Sequence, residues 1–397
     1  QRVRDDGVVE GDWDAALDWL DAAHGEVWLG RGAFPGAGSV LKYLGHSEAF
    51  SYQRTHLAGV SPDVDISAEI ALALDGRPHS LPSPGESLTQ GSGIAKRLPT
   101  RQELLRLLMR FELTPDQVQR IVDPEKRTSS GITAEPEDIV ANPYLLAEQD
   151  QGLEESHAVG LEAIDQGMLP EVEAFISVVE RITGDDPRRV RAVAVDVLKS
   201  AGDAGDTVLS LSELVARVRT RFPSRRECIA DVELMLSDAD YYEEVLWVQW
   251  DSNPQVAALR TTRELEQVVA ESCRAMLVRP VRESLNIDWM SELVGRFGEP
   301  ESEFQSMALK EKAEALSGIE RRAISVLTGG AGTGKTSVVK VLLDGLAKAE
   351  GKEPVLLLAP TGKARVKLSN LTHRNTMTAH QFLMGNGWLN ENFGFRT

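Results

Sequence analysis

A single glycine-rich stretch constrains this chain more than any other part of its sequence. Between residues 324 and 336 the chain reads Ile-Ser-Val-Leu-Thr-Gly-Gly-Ala-Gly-Thr-Gly-Lys-Thr. Five residues with strand character run into a loop of glycines, and a helical pattern begins near Lys335. Glycine permits conformations in which successive N–H groups turn toward one point, and a helix that starts there adds the positive end of its dipole. The order of strand, loop and helix therefore predicts a site that binds phosphate groups.

The loop also assigns a role to individual side chains. Gly329, Gly334, Lys335 and Thr336 occupy the fixed positions of the G-x-x-x-x-G-K-[ST] phosphate loop. In such a loop the lysine neutralises the β- and γ-phosphates of ATP and the threonine hydroxyl binds Mg²⁺, so Lys335 and Thr336 are the catalytic candidates. The predicted ATP-binding set is Gly329, Gly330, Ala331, Gly332, Thr333, Gly334, Lys335, Thr336 and Ser337. A glycine-rich turn without a ligand is the alternative, which the match at every fixed position disfavours.

Composition narrows the class of protein. The 397 residues are 42% hydrophobic and 26% charged, which is typical of a globular chain with about two to four domains. No apolar run approaches the roughly 18 residues of a membrane span, so we expect no membrane partner. The chain has two cysteines, Cys228 and Cys273, and their spacing is not that of metal ligands. So few cysteines are most simply free thiols, which favours a reducing, cytoplasmic setting. The start at Gln1, without an initiator Met or a signal-peptide core, is typical of a fragment boundary.

Charge is distributed unevenly along the chain. The net charge is −18, yet residues 321–397 contain eleven Lys or Arg and four Asp or Glu, against 32 and 57 in residues 1–320. A basic segment on an acidic body is compatible with a local groove that follows nucleic-acid phosphates. It is equally compatible with solvated lysines, so charge alone does not decide between the two.

Changes of periodicity and clusters of Pro, Gly and Ser divide the chain into five parts. We expect an N-terminal α/β region of unknown role, a linker, two mainly helical regions and the region that contains the phosphate loop. Their predicted bounds are residues 1–77, 78–99, 100–184, 185–300 and 301–397.

Local patterns predict particular elements within these parts. Thr114 followed by Pro115 is typical of a helix start, and Asn142-Pro143 is typical of a helix end. Aromatic and β-branched residues over 241–250 predict a strand. Further helices are predicted over residues 13–20, 66–74, 171–182, 186–200, 221–236 and 262–277, one more is predicted within 207–218, and another strand is predicted over 26–30.

The order of two helices and an aromatic strand over residues 207–250 is typical of a winged-helix region. Ser210 or Ser212 is the predicted cap of the first helix. Trp247 and Trp250 could stack on nucleic-acid bases, but packing within the sheet is the commoner role of such side chains.

Two stretches beyond the loop carry a resemblance to a known family. Residues 355–365 read Val-Leu-Leu-Leu-Ala-Pro-Thr-Gly-Lys-Ala-Arg, and residues 375–380 read Asn-Thr-Met-Thr-Ala-His. Together with residues 328–336 they resemble motifs in the first motor domain of the RecD-like DNA helicases of superfamily 1B. Residues 113–121 and 139–147 more weakly resemble the helix-hairpin-helix region of that family.

The resemblance implies a fold and an activity. The fold is an incomplete RecA-like α/β P-loop NTPase domain at the C-terminal end, preceded by mainly helical helix-hairpin-helix-like and winged-helix-like regions and the N-terminal α/β region. The activity is that of an ATP-dependent 5′-to-3′ DNA helicase or translocase, with ATP and Mg²⁺ as cofactors. The implied partners are single-stranded DNA and proteins of a repair or defence complex.

The resemblance also implies a DNA-binding set. A buried parallel strand over 355–358 would deliver the following turn to the carboxyl-end edge of a sheet, where α/β proteins bind ligands. The predicted DNA-binding residues are Pro360, Thr361, Gly362, Lys363, Arg365 and His380, with Lys367 as a further electrostatic contact. A solvated helix start is the alternative for Lys363 and Arg365. A structural hydrogen-bonding role is the alternative for His380.

The sequence departs from the family pattern at several positions. Ala331 stands where the family usually has Pro, and the family's adenine-reading Gln is expected near Lys312, within residues 309–315, where this chain has no Gln. Because a lysine only donates, the selectivity for the base is open. Gly152 and Gly160 do not form the Gly-x-Gly pairs of helix-hairpin-helix turns. No room remains before Thr397 for a Walker B carboxylate pair or a second motor domain, so we expect a fragment that binds nucleotide without sustained turnover.

Two other classes of protein use the same loop. A non-motor ATP-binding switch or scaffold is the main alternative, and a small-molecule kinase is another. The Ala359-Pro-Thr-Gly-Lys363 stretch disfavours the kinase, because it provides a second phosphate-binding turn that such kinases lack at this spacing.

Overall fold

The computed structural model describes residues 32–81, 99–153, 157–169, 182–222, 226–330, 332–351 and 355–389, apart from residues 59, 62, 63, 75 and 76, together with helical positions 15, 16, 19, 20 and 23. The chain divides into two compact units, Gln1–Arg263 and Glu264–Thr397. The predicted strand over 26–30 lies outside the described residues, as do much of the helix predicted over 13–20 and residues 171–181 of another. The division into five parts stays a prediction.

Short helices build most of the first unit. They are α1 (Ala37–Tyr43), α2 (Ala49–Tyr52, continued by a π-helical turn at Gln53–Leu57), α3 (Ile66–Leu74), α4 (Pro99–Leu108), α5 (Pro115–Val122), α6 (Pro124–Ser129), α7 (Pro136–Ala141), α8 (Leu145–Gln149), α9 (Leu161–Met168) and α10 (Pro187–Ala204). The helix predicted over 66–74 is confirmed as α3, and the one predicted over 186–200 is confirmed as α10. Their apolar side chains form a buried core that includes Leu108 and Phe111.

The helix boundaries predicted at Thr114 and Asn142 are confirmed. Thr114 Oγ1 accepts a hydrogen bond from the N–H of Gln117 at 3.2 Å, and Gln117 Oε1 accepts one from the N–H of Thr114 at 2.9 Å. This reciprocal cap satisfies N–H groups that a helix start leaves without a partner. At the other boundary α7 stops at Ala141, because Asn142 leaves the helical conformation before Pro143.

A three-stranded antiparallel sheet follows in the first unit. β1 (Leu209–Ser210), β2 (Leu246–Gln249) and β3 (Val256–Leu259) lie in the order β1-β3-β2, and α11 (Leu211–Arg219), α12 (Val232–Ser237) and α13 (Ala239–Glu243) lie between β1 and β2 in the chain. Ser210 Oγ accepts from the N–H of Glu213 at 3.2 Å, so Ser210 is the cap of α11. The assignment of this region to the winged-helix class stays an interpretation.

The strand predicted over 241–250 is wrong in its first half. Tyr241 lies in α13, where the Arg191 guanidinium packs 3.9 Å from the centroid of its ring. Arg260 Nε donates to the carbonyl oxygen of Glu243 at 2.8 Å and so supplies a hydrogen-bond partner to the last carbonyl of that helix. Aromatic composition favours a strand, but these long-range contacts stabilise a helical turn.

The two tryptophans of this region pack within the first unit. The Arg263 guanidinium lies 4.6 Å from the centroid of the Trp247 ring. Trp250 Nε1 donates to Glu243 Oε1 at 2.6 Å. Both contacts favour the packing role over base stacking.

The helix predicted over 221–236 is also wrong, because in its described part only α12 is α-helical. The carbonyl oxygens of Arg226 and Glu227 accept from the guanidinium of Arg189 at 2.6 and 2.9 Å. The guanidinium therefore satisfies those carbonyls in place of helical N–H groups. A contact with a distant residue overrides the local helical pattern.

Buried ion pairs fix the arrangement of α9 and α10 in the first unit. Asp165 on α9 is fully buried and accepts from Arg189 Nε at 2.6 Å, from Arg226 Nη1 at 3.1 Å and from the Tyr144 hydroxyl at 2.8 Å. A buried carboxylate is tolerated when its oxygens are paired in this way. The network joins α9, α10 and the segment around Arg226.

Both cysteines are free thiols. Burial raises the pKa of the Cys228 thiol to about 11, in spite of the nearby positive charge of Arg189. A thiol with a raised pKa is a poor nucleophile, so Cys228 is a core group. Within the described ranges, no group of three or more His, Cys, Asp or Glu side chains is arranged to hold a metal ion.

The second unit contains a small helical core. α14 (Arg260–Leu277), which contains the boundary between the units, confirms the helix predicted over 262–277. The helices that follow are α15 (Trp289–Phe297), α16 (Glu303–Arg321) and α17 (Lys335–Glu350). Buried side chains of these three helices form the core, among them Trp289, Leu316 and Val338.

A short βαβ unit packs beside α17. β4 (Leu357–Ala359), α18 (Gly362–Thr372), β5 (Thr376–Thr378) and α19 (Ala379–Gly385) follow in order. β4 and β5 pair in parallel with Ala359 opposite Thr378, and α18 provides the crossover that parallel strands need. Arg374 Nη2 donates to the carbonyl oxygen of Leu343 at 3.0 Å and holds this unit against α17.

Two strand predictions in the second compact unit, Glu264–Thr397, need correction. Residues 324–328 form no strand, and Val326 is 84% exposed, because no described strand pairs with them to supply hydrogen bonds. The strand predicted over 355–358 begins at Leu357 and is covered on one face. Leu358 and its register partner Met377 are 40% and 38% exposed on the other face.

Among the helices of the described ranges, none is both long enough and apolar enough to cross a membrane.

Candidate nucleotide-binding and nucleic-acid-binding site

The glycine loop turns into α17 at Gly334. Gly332 and Gly334 have φ angles of +80° and +84°, in the left-handed region that residues with a Cβ rarely adopt. Gly334 directly precedes α17, which begins at Lys335 as predicted. The first N–H groups of a helix have no partner inside it, so this start presents donors and a positive dipole end to an anion.

Lys335 lies against the backbone of the loop. Its Nζ donates to the carbonyl oxygens of Gly329 and Gly330, at 2.6 Å each. Thr333 Oγ1 donates to the same Gly330 oxygen at 3.0 Å. An ammonium group has three donors, so a phosphate oxygen can take up the third or compete for the other two.

The remaining described residues of the predicted ATP-binding set lie in the loop and in the first turn of α17. Thr336 and Ser337 lie half-buried in the first turn of α17, directly after Lys335 in the chain. Gly329, Gly330, Gly332 and Thr333 are exposed, and Ala331 lies outside the described residues.

Trp289 packs against α17 at Gly345, ten residues after the start of the helix. A Cβ built on Gly345 would lie 2.5 Å from Trp289 Cζ3, so the indole fills the space that any other residue at this position would need. The indole Nε1 donates to Glu320 Oε2 of α16 at 2.8 Å. Lys348 Nζ forms an ion pair with Glu292 of α15 at 2.6 Å. The helix that carries the loop is thus tied to both neighbouring helices.

The β4–β5 pair brings two predicted DNA-binding stretches to one edge. Because Ala359 lies opposite Thr378, the turn after β4 and the turn after β5 leave the sheet side by side. Thr361 caps α18 by accepting from the N–H of Ala364 at 3.2 Å. Thr378 caps α19 by accepting from the N–H of Gln381 at 3.1 Å. Two helix starts therefore meet at the carboxyl-end edge of the sheet.

The predicted DNA-binding side chains lie on or near these two starts. Pro360, Thr361, Gly362 and Lys363 are exposed, and Arg365 is half-buried. Lys367 is exposed one turn after Lys363, on the same side of α18. His380 is exposed in the first turn of α19.

A cavity of about 370 Å³ opens beside the loop. One face of α16 lines it through Phe304, Ala308, Glu311, Lys312 and Ala315. The loop and its flanks line it through Leu327, Thr328, Gly329, Thr333, Lys335 and Val338. The volume is within the usual range of small-ligand sites.

Known proteins resemble parts of this chain. Residues 312–394 match the family model described as an AAA domain. The chain is 23% identical over 385 residues to an uncharacterized protein of Methanocaldococcus jannaschii, a match over 88% of this chain and 31% of that protein. It is 31% identical over 206 residues to the ATP-dependent RecD2 DNA helicase of Deinococcus radiodurans, a match over 50% of this chain and 27% of the helicase.

The findings support a superfamily 1 helicase-like protein with a P-loop domain at its C-terminal end. The chain spans less than a third of the length of each of these two relatives. The uncharacterized relative covers the larger share of the chain and adds no specific function.

Sequence reasoning about this helicase-like chain missed part of the cavity. It singled out Lys312 by position, but it did not find Phe304 or Glu311. These side chains recur at helical spacing along α16, and that spacing could have identified a single face of the helix. What the sequence did not indicate is that this face looks toward the loop.

Proposed function

We propose that this chain is the nucleotide-binding part of a RecD-like, ATP-dependent 5′-to-3′ DNA helicase or translocase. The observation that carries the proposal is the meeting of two threonine-capped helix starts at one sheet edge, within the unit that holds the phosphate loop. Thr361 and Thr378 form these caps, at the carboxyl ends of two parallel strands. Ligands of α/β proteins bind at such edges.

The loop supplies the nucleotide end of the site. Lys335 neutralises the phosphates, and the N–H groups at the start of α17 donate to their oxygens. The Thr336 hydroxyl would hold Mg²⁺, a hard cation that prefers oxygen ligands. This donor set fits ATP with Mg²⁺, and the bound nucleotide supplies the phosphoryl group whose transfer to water drives a motor.

The edge of the sheet supplies the DNA end. Thr361 keeps its hydroxyl hydrogen available for a phosphate oxygen, because its cap uses the oxygen as an acceptor. Lys363 and Lys367 add positive charge on one side of α18, and Arg365 lies between them in the chain. His380 lies in the first turn of α19, whose start leaves the sheet beside that of α18. Single-stranded DNA is the partner that suits such a row of phosphate contacts.

The DNA substrate and the polarity rest on the resemblance of the motifs and on the likeness to the helicase of Deinococcus radiodurans. Because the chain spans 27% of that helicase, the activity of the whole protein is part of the proposal. Its partners in a repair or defence complex and its place in the cytoplasm belong to the proposal too.

Hydrolysis of ATP by the full-length protein tests the motor. We expect a rate that single-stranded DNA stimulates and that Lys335→Ala abolishes. Hydrolysis that is indifferent to DNA would contradict the motor and favour the non-motor switch or scaffold.

Binding tests the site in this chain of 397 residues, independently of turnover. We expect a fluorescent ATP analogue to bind with Mg²⁺, and a labelled single strand to increase in fluorescence anisotropy. A chain that folds but binds no triphosphate would overturn the nucleotide site itself.

A further inference from the structure

The cavity beside the loop is continuous with the phosphate site. It shares Gly329, Thr333 and Lys335 with the loop. A ligand whose phosphates lie on the loop can therefore extend into this cavity.

The walls of the cavity suit a flat aromatic ring. Ala308 and Ala315 of α16, Leu327 before the loop and Val338 of α17 line it with apolar side chains. The Phe304 ring stands at its rim and is 81% exposed. Aromatic side chains stack on any base, because every base has a π-face.

The charged side chains that line the cavity, apart from Lys335, are Glu311 and Lys312. The Lys312 ammonium lies 5.2 Å from the centroid of the Phe297 ring, which holds it on this wall. A lysine only donates hydrogen bonds and an ionised glutamate only accepts them. The cavity therefore offers a separate donor and a separate acceptor, each on a flexible stem.

No amide is available on α16 to replace this pair. Gln305 is the one glutamine in the sequence of the helix. Its Oε1 accepts from the N–H of Glu301 at 2.7 Å, so it serves the start of the helix. It is not among the residues that line the cavity.

The chemistry of the two purines decides what this pair can read. Adenine presents an N7 acceptor and an N6 amino donor, whereas guanine presents O6 and N7 acceptors and an N2 amino donor. An amide carries its donor and its acceptor on one planar group, so it selects one of these patterns by geometry. A flexible ammonium and a flexible carboxylate satisfy either, and both hydrogen bonds are charge-assisted.

We propose that this cavity is the nucleobase pocket of the loop and that it accepts guanine as well as adenine, through Lys312 and Glu311. This rests on the proposed function, since it requires that the loop binds a nucleoside triphosphate. It assigns the chain a purine nucleoside triphosphate as its ligand class rather than ATP alone.

Competition for a fluorescent ATP analogue in the presence of Mg²⁺ tests the proposal on the 397-residue chain. We expect ATP and GTP to displace the analogue with Kd values within about threefold of each other. Lys312→Gln restores an amide, and we expect it to shift the preference toward ATP by about tenfold. Lys310→Gln makes the same exchange on an exposed lysine of α16 outside the cavity, and we expect no shift.

Inorganic tripolyphosphate separates the two ways of failing. If tripolyphosphate displaces the analogue with the same affinity as both nucleotides, the loop binds phosphates but the cavity does not recognise a base. That result overturns only the proposal of a nucleobase pocket. A preference of the unchanged chain for ATP by more than about tenfold also overturns guanine acceptance. If neither nucleotide nor tripolyphosphate displaces the analogue, or if the analogue does not bind, the proposed function itself fails.

Discussion

The ammonium group of Lys335 donates to the carbonyl oxygen of Gly329 at 2.6 Å, across the six-residue separation that closes the loop. Substitution by Ala removes a charge that phosphate oxygens need and leaves the helix intact. We expect Lys335→Ala to weaken binding of Mg·ATP by at least about tenfold, which corresponds to about 1.4 kcal/mol. Isothermal titration calorimetry measures this. Lys340→Ala on the same helix is the matched control, and an equal loss there would contradict a specific role for Lys335.

The contact between Gly345 and Trp289 predicts a defined loss of stability. A Cβ at Gly345 would lie 2.5 Å from Trp289 Cζ3, so Gly345→Ala should destabilise the second unit by about 1–3 kcal/mol through overpacking. Gly318→Ala, on α16, meets no atom within 4 Å and should stabilise by about 0.5–1 kcal/mol through helix propensity. Urea denaturation followed by circular dichroism compares the two. Effects of the same sign would show that the indole does not set the position of α17.

The exposed lysines of α18 predict a salt-dependent contact with DNA. We expect Lys363→Ala/Lys367→Ala to weaken binding of single-stranded DNA and to reduce the slope of log Kd against log salt by about 1.4, at about 0.7 for each phosphate contact. Fluorescence anisotropy at several salt concentrations measures the slope. Lys42→Ala/Lys310→Ala removes the same charge from exposed positions elsewhere. A slope that falls equally in both double variants would assign the effect to net charge alone.

The buried carboxylate of Asp165 predicts a large loss of stability in the first unit. Asp165→Ala leaves the Arg189 and Arg226 guanidinium groups without their shared partner, and we expect a loss of about 3–5 kcal/mol. Glu162, which pairs with Arg226 at 2.5 Å and is half-exposed, serves as the control. Glu162→Gln should cost no more than about 1 kcal/mol, as for surface pairs. Similar losses in chemical denaturation would show that burial does not distinguish the two carboxylates.

The ionised carboxylate of Asp186 should make the stability of the first unit depend on pH in the acid range. Burial raises the pKa of this carboxyl, but the Arg188 guanidinium, at 2.7 Å, and backbone N–H groups outweigh burial and hold the pKa below its ordinary value. The carboxylate therefore stabilises the fold fully above the unfolded pKa of about 3.9, and this contribution is lost as the pH falls through the lower folded pKa. We expect Asp186→Asn to be less stable than the parent at pH 7, by a margin that shrinks below about pH 4.

Denaturation at pH 7, 4 and 3 measures that margin. Asp185→Asn, which replaces the exposed neighbouring carboxylate, should show a small difference at every pH. A margin for Asp186→Asn that stays constant down to pH 3 would contradict the assignment to its charge.

Local sequence was sufficient where a few neighbouring residues decide the structure. The cap at Thr114 depends on Gln117 three residues later, and the start of α17 depends on Gly334 directly before it. It was insufficient where a distant group intervenes. The helix predicted over 221–236 is interrupted because Arg189, more than thirty residues earlier, takes its carbonyl oxygens.

The candidate site also has one part that neighbouring residues determine and another part that distant residues determine. The phosphate loop is contiguous in the chain, so a motif describes it. The cavity combines α16 with the loop, and the packing of Trp289 places the two together, which no local pattern encodes. The strand predicted over 324–328 failed for a related reason, since a strand depends on its neighbours in space as much as on its own residues.

Trp289 contacts Gly345 of α17 on one side and Glu320 of α16 on the other. α17 begins at the phosphate loop, and α16 forms a wall of the cavity. Under the proposed function, the indole therefore fixes the distance between the phosphate loop and the wall of the cavity before a nucleotide binds, which lowers the ordering cost of binding. A fixed distance also selects its ligand by length. A molecule that joins the same base to the same phosphates through a longer or shorter link than ribose can bind at one end of the site, but not at both.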